Sequence, residues 1–493
     1  MAGSKPKKSA LDKDLDKMTL VEHASVHVWR RYVGLGLGFV FVGLVMLYAG
    51  SYAFGAQSPL LLMIAAALAG YMAMNIGAND VTNNTGAAVG ARAITMRQAL
   101  VMAAVLEILG ALIAGGDVTE TISTGIVNAP SLGATDAVVP IMMASLTAAA
   151  LWINLATWLR APVSTTHSIV GAIMGAAIAS AGWDVVRWEV VGEIVLSWVA
   201  SPVIGGLIAA GFLFFIEEAI LVRKDKIAAA RLWVPLLIGL MAGAFVSYIG
   251  LQFVIRGRIA EGTVLPLGAV AGVLAWLVST PVVRHASEGL ENRNSSLRVL
   301  FRIPLIASSA LLCFAHGAND VSNAIGPLAA IVNATASPTA STDGIPLWSL
   351  LIGAFGISVG LLLFGPRLIR LVGEQITKLN PVRSYCVSLS AALTVLAASW
   401  AGLPVSSTHI AVGAVFGVGF FREWYVNSWR PKPKKNRNGD AADLNAENDE
   451  ELRRRLLVRR SHFMTIAGAW MITLPVSAGM SAVMLLLIQR FFS

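Results

Sequence analysis

At 493 residues, 56% hydrophobic and only 13% charged, with a mean hydropathy of +0.70, the chain is too apolar for a water-soluble core and reads as a polytopic membrane protein. The net charge of +9 reads as an excess of Lys and Arg in the loops on one membrane face, so no nucleic-acid partner is inferred from it. Cys313 and Cys386 both lie in apolar runs, which argues against a disulfide framework and against a thiolate metal centre.

Residues 1–32 form a polar tail. Its lysine cluster passes into mixed charge and Arg30-Arg31 with no cleavable apolar core behind it, so it is not a signal peptide. Thirteen apolar segments follow: 33–53, 59–76, 98–115, 138–159, 162–181, 190–216, 232–250, 263–283, 303–316, 346–365, 384–400, 403–421 and 463–488. Most are near the roughly 20 residues that a spanning helix needs. If all cross and the N-terminus is cytoplasmic, the inside loops carry 33 of the 37 Lys and Arg. That asymmetry places the N-terminus in the cytoplasm, the C-terminus outside, and the chain as a multi-pass protein in the bilayer of the plasma (inner) membrane. Assembly into homo-oligomers is compatible with this pattern.

The second segment ends in Gly77-Ala78-Asn79-Asp80-Val81-Thr82-Asn83-Asn84. The ninth ends in Gly317-Ala318-Asn319-Asp320-Val321-Ser322-Asn323-Ala324. A carboxylate inside a bilayer costs roughly 2.5–3.5 kcal/mol on insertion scales, so two placed alike point to function, and the small and amide residues around them suit a broken helix. Glu107, in the middle of the third segment, is a third intramembrane acid. Glu193 sits near a segment end and reads as interfacial.

The fifth segment opens Pro162-Val163-Ser164-Thr165-Thr166-His167, and the twelfth Pro404-Val405-Ser406-Ser407-Thr408-His409. A proline followed by hydroxyl residues can start a helix, and the first N–H groups of a helix form a ready anion site. The same hydroxyls can instead serve only as caps. His167 and His409 follow the hydroxyls, yet no Gly-x-Ser-x-Gly elbow exists and a duplicated nucleophile has no rationale. They are read as packing or hydrogen-bonding residues, with a proton relay as the alternative.

These duplications divide the chain into a tail (1–32), an extra segment (33–58), a first repeat (59–216), linking segments (217–302), a second repeat (303–421), a charged cytoplasmic loop (422–460) and a final segment of the second repeat (461–493). The two Asn-Asp motifs lie seven crossings apart, an odd number, so the halves are inverted. The expected fold is all-α, with two inverted repeats and broken helices or hairpins at the midplane, a secondary-transporter architecture.

No Lys or Arg lies well inside the apolar segments, although Arg92, behind the first motif, is placed to reach in. An anion held between Asp80 and Asp320 therefore needs an accompanying cation, which implies a symporter. Candidate anion ligands are Ser164, Thr165, Thr166, Ser406, Ser407 and Thr408, with the N–H groups beside them. Candidate cation ligands are Asn79, Asp80, Asn83, Glu107, Asn319, Asp320 and Asn323.

The paired Gly-Ala-Asn-Asp-Val and Pro-Val-Ser-(Thr/Ser)-Thr-His motifs, with Gly326-Pro327-Leu328, resemble the inorganic phosphate transporter family, over roughly residues 59–490. The resemblance is to its sodium-coupled symporter branch. It implies phosphate uptake by alternating access with sodium as the coupling ion, no cofactor and no enzymatic activity. It assigns the Asn-Asp and Ser/Thr motifs to the phosphate and sodium sites, which adds Asp80 and Asp320 to the phosphate ligands. Two features depart from the family's pattern. Segment 33–53 is added, and Ser388 stands where a second acid, the counterpart of Glu107, is expected. Proton coupling, metal–phosphate as substrate, or another oxyanion such as sulfate therefore remain alternatives. A phosphate sensor is a further one, with the 422–460 loop as its support.

Overall fold

The structure is a computed structural model that describes residues 32–53, 58–128, 137–159, 161, 163–335, 345–375, 380–425, 428 and 460–492. The tail up to residue 31, Arg160, Pro162 and nearly all of the 422–460 loop lie outside the described residues. No strand occurs among the described residues, and the helices run α1 Tyr32–Tyr52, α2 Pro59–Gly90, α3 Met96–Ala114, α4 Gly116–Glu120, α5 Val138–Trp158, α6 Thr165–Ala181, α7 Trp188–Ile216 and α8 Lys226–Ile255. They continue as α9 Val264–Ala286, α10 Asn294–Leu300, α11 Arg302–Asp320, α12 Ser322–Thr335, α13 Leu347–Gln375, α14 Pro381–Trp400, α15 Ser407–Trp424 and α16 Arg460–Phe492.

Local sequence explains several starts. Pro59 opens α2 and Pro381 opens α14, where a missing N–H costs nothing. Thr95 and Gln98 form a reciprocal capping box on α3. Asn380 caps α14 by accepting from the Arg383 N–H. Large apolar side chains face outward along α1, α7 and α9, among them Phe39, Leu207 and Leu265, as a lipid-facing surface requires.

Among the described residues, ten helices are long and apolar enough to cross a membrane, eleven if α10 to α12, bent by 47°, count as one. Of the thirteen apolar segments, 162–181 and 403–421 are the two that drop out. Their helices start late, α6 only at Thr165 and α15 only at Ser407, which leaves 17 and 18 helical residues. Each belongs to a hairpin, α5–α6 or α14–α15, whose turn residues Val163-Ser164 and Val405-Ser406 are buried inside the protein. Two arms that both cross, or that both return to their own side, add an even number of crossings either way. The count between the motif helices stays odd, and the halves stay inverted. The expected break at the first motif is absent: α2 runs unbroken through Asp80, while the second copy is interrupted only at Val321.

The halves are interlocked rather than side by side. α2 packs along α13 of the other half, and α11 along α3. A Cβ on Gly77 would overlap the carbonyl oxygen of Ile357, and one on Gly317 that of Glu107. Reciprocally, Gly360 lies against the Met74 carbonyl and Gly110 against that of Phe314. Small residues are what allow two membrane helices this close an approach. The same exchange recurs outside the motif helices, with α6 against α16 and α15 against α7.

Candidate functional site

Both hairpin turns point into the space between α2 and α11, where the motif residues lie. In each hydroxyl run the first residue is a cap: Ser164 Oγ accepts from His167 N at 3.1 Å, and Ser406 Oγ from His409 N at 3.3 Å. The second residue donates to the aspartate of its own half. Thr165 Oγ1 lies 3.1 Å from Asp80 Oδ2, and Ser407 Oγ 3.1 Å from Asp320 Oδ2. The third residue joins the halves. Thr408 accepts from Asn83 Nδ2 at 2.8 Å and donates to Asp80 Oδ1 at 3.2 Å. Its counterpart Thr166 accepts from Asn323 Nδ2 at 3.3 Å and donates to the Val405 carbonyl at 3.0 Å.

Asn79 and Asn319 anchor the hairpins. Asn79 Nδ2 donates to Thr157 Oγ1 at 2.8 Å, and Asn319 Nδ2 to the Val405 carbonyl at 2.8 Å. The expected ligands therefore come together around Asp80 and Asp320, but in three roles. Ser164 and Ser406 cap helices, Asn79 and Asn319 hold the turns, Asn319 donating to Asp320 as well, and Thr165, Thr166, Ser407, Thr408, Asn83 and Asn323 surround the two acids.

One residue of the cluster is missing from those singled out by the sequence. His316, fully buried, stands one position before Gly317, where the first copy has Ile76. Its Nε2 lies 2.7 Å from Asp320 Oδ2 and 3.8 Å from Asp80 Oδ2, and its Nδ1 3.2 Å from Glu107 Oε1. Glu107 also accepts from Asn84 Nδ2 at 2.8 Å. A search for intramembrane Lys and Arg passes over this imidazole, and comparing the two motifs one residue further upstream finds it. Arg92 does not reach the cluster: it is exposed, in a left-handed turn (φ 56°) beyond the end of α2, roughly 18 Å along the helix from Asp80.

The pairing of Glu107 with Ser388 is also corrected. Gly110 and Gly360 occupy matching places against Phe314 and Met74, and Glu107 and Ile357 each stand three residues before those glycines. Ile357 is thus the counterpart of Glu107, while Ser388 matches Ser145. Where one half sets His316 against Glu107, the other sets Ile76 and Ile357, both fully buried and apolar.

His167 and His409 pack edge to face, with ring centroids 4.4 Å apart, and His167 lies 3.8 Å from the Trp198 ring. Trp198 Nε1 donates to the Pro404 carbonyl at 3.0 Å. The two histidines thus sit among the contacts that join the hairpins. Glu193 is exposed.

Two interlocked inverted halves, with polar hairpin turns buried against intramembrane carboxylates, define a membrane transporter rather than an enzyme. The chain belongs to the phosphate transporter family, whose model matches residues 76–481. It is similar to a Helicobacter pylori (strain J99) protein named "Putative phosphate permease", at 47% identity over 82% of this chain and 76% of the relative. A Pyrococcus abyssi protein of the same description is 40% identical over 71% of this chain and 86% of the relative. Among solved structures, a sodium-dependent phosphate transporter superposes with a TM-score of 0.76 at 34% identity, covering 87% of this chain and 99% of that one.

Proposed function

We propose that the chain carries inorganic phosphate across the plasma membrane together with sodium, by alternating access about the two hairpin turns, with its N-terminus in the cytoplasm. The observation that carries this reading is the cluster itself. Asp80, Asp320 and Glu107 are fully buried beside four hairpin hydroxyls, and among the described residues His316 is the one basic side chain in contact with them. Phosphate added to three buried carboxylates needs small cations alongside it. Sodium suits the oxygens of Asp80, Asp320, Glu107, Asn83 and Asn323. Thr165, Thr166, Ser407 and Thr408, with the first N–H groups of α6 and α15, suit phosphate. The sodium-dependent phosphate transporter among the solved structures supports the same choice of ion.

Thr166→Val and Thr408→Val test the anion site, since each keeps the side-chain shape and removes a hydroxyl. Losing one hydrogen bond to a charged ligand costs roughly 1.5–3 kcal/mol, so the apparent phosphate affinity falls about tenfold to a hundredfold in each. Half-saturation of uptake reports it, and unchanged values in both variants move phosphate away from the hairpins.

A second reading rests on His316. One potential ligand atom from each of Asp80, His316 and Asp320 lies within 4.8 Å of the others, a donor set that suits protons or a divalent metal delivered with phosphate better than it suits sodium alone. Proteoliposomes separate the readings. Under sodium coupling, uptake at fixed pH drops to background when choline replaces sodium, and it continues at fixed sodium when the pH gradient is collapsed. The opposite pair of results assigns the drive to protons, and a requirement for added divalent cation assigns the substrate to metal–phosphate. Competition by unlabelled phosphate but not by sulfate identifies the anion.

A further inference from the structure

Away from the motif cluster, the far end of α7 and its continuation Glu217–Leu221, α10, the start of α14 and the end of α15 enclose a cavity of about 200 Å³. Arg298, Arg383 and Arg422 line it, with Glu217 as the single acid. Glu218, close by, accepts from the Tyr425 hydroxyl at 2.8 Å. No carboxylate lies within 4.0 Å of the guanidinium of Arg298 or Arg383 among the described residues. Like charges set around one small cavity repel one another, and Arg298 and Arg383 meet there with no carboxylate in ion-pair range among the described residues. An anion between the guanidinium groups removes that repulsion. Planar forks in this number match the oxygens of a phosphate group.

The cavity is not a by-product of the internal duplication. In the other half, no Lys or Arg occurs between Asp117 and Leu159, so the matching start of α5 carries no such charge. The transport cluster is built twice, and this site once. All four lining segments belong to the Arg-rich face of the chain, and the apolar part of the lining is Leu213, Leu221, Val382 and Phe421. A phosphate-accepting pocket at the ends of spanning helices, with an apolar wall beside it, has the features of a headgroup site.

We propose that this cavity is a second anion site, which binds a phosphate group outside the transport pathway and is formed by Arg298, Arg383 and Arg422. Two sources share that chemistry, an anionic phospholipid headgroup and free inorganic phosphate, and the site as described accepts either. The inference does not depend on which ion drives transport.

The test compares the full chain with Arg298→Gln/Arg383→Gln. Arg298→Gln alone, at an exposed position on α10, serves as the variant that does not disturb packing. In the lipid arm, native mass spectrometry of protein released from phosphatidylglycerol nanodiscs counts the tightly held lipids. A headgroup site predicts one phosphatidylglycerol fewer in the double variant, a weakening of roughly tenfold or more in the single variant, and no difference in phosphatidylcholine. In the phosphate arm, delipidated protein carrying Asp80→Asn is titrated with labelled inorganic phosphate in choline buffer. A free-phosphate site predicts residual binding that disappears when the arginine substitutions are added. If the arginine variants match their parents in both arms, no anion site exists there. Because neither arm measures uptake, that result leaves the transport reading standing, and a failed uptake assay leaves this one standing.

Discussion

Asp80→Asn and Asp320→Asn each reduce phosphate uptake to that of protein-free vesicles while the protein still reaches the membrane in normal amount. Both acids are fully buried. Asp80 takes donors from Thr165, Thr408 and Asn83, and Asp320 from Ser407 and Asn319, with His316 Nε2 2.7 Å from the Asp320 carboxylate. An amide keeps the volume and most of the hydrogen bonding but removes the charge that attracts a cation. Insertion does not suffer, because a carboxylate inside a bilayer is itself the costly species. If cation binding is what admits phosphate, coupled uptake is lost together with the charge. Uptake at the parental rate in either variant, measured at equal membrane abundance, would remove that aspartate from the coupling site.

Gly317→Ala is expected to be as damaging by a different route. The added methyl would overlap the main-chain carbonyl of Glu107, which an α-helix cannot swing aside as a side chain can. Forcing one extra carbon into a packed core costs roughly 1–3 kcal/mol, and more where only backbone can yield. The α11–α3 crossing must open, taking His316 and Glu107 apart, so both thermal stability and uptake fall. Gly36→Ala is the control: a Cβ there meets nothing within 4 Å, and the variant retains parental stability and rate. Parental melting of Gly317→Ala in detergent would show that the crossing is looser than described.

Much of the site is legible in the sequence because it violates its surroundings. Asp80 and Asp320 stand out as carboxylates in apolar runs, and the hydroxyl runs stand out through repetition. What hydropathy cannot convey is partnership. An apolar stretch such as 162–181 has the composition of a short span and of a hairpin arm alike, and only the burial of Ser164 decides between them. Nothing in the pattern says that α2 should pack on α13 rather than within its own half. His316 escapes because an imidazole, unlike Lys or Arg, is not conspicuous in an apolar run. The counterpart of Glu107 escapes because spacing drifts between the copies: the 240-residue offset of the Asn-Asp motifs points to Leu347, while the backbone crossings select Ile357. The caps show the opposite problem. Ser164 and Ser406 look the same as their neighbours in sequence, and hydrogen-bond direction alone separates a cap from an acid's partner.

The exchange of helices between halves has a consequence for how the chain is made. The principal neighbour of α2 is α13, and Gly77 meets Ile357 about 280 residues further along. At roughly 5–20 residues per second, a ribosome needs roughly 15–55 s to cover that distance. Throughout that interval a helix bearing Asn75, Asn79, Asp80, Asn83 and Asn84 is already synthesised while the surface that buries it is not. The first half therefore cannot mature on its own schedule. A chain that stops in the linking segments leaves the Asp80 helix without its partner, and quality control in the membrane meets an incomplete core rather than half a transporter.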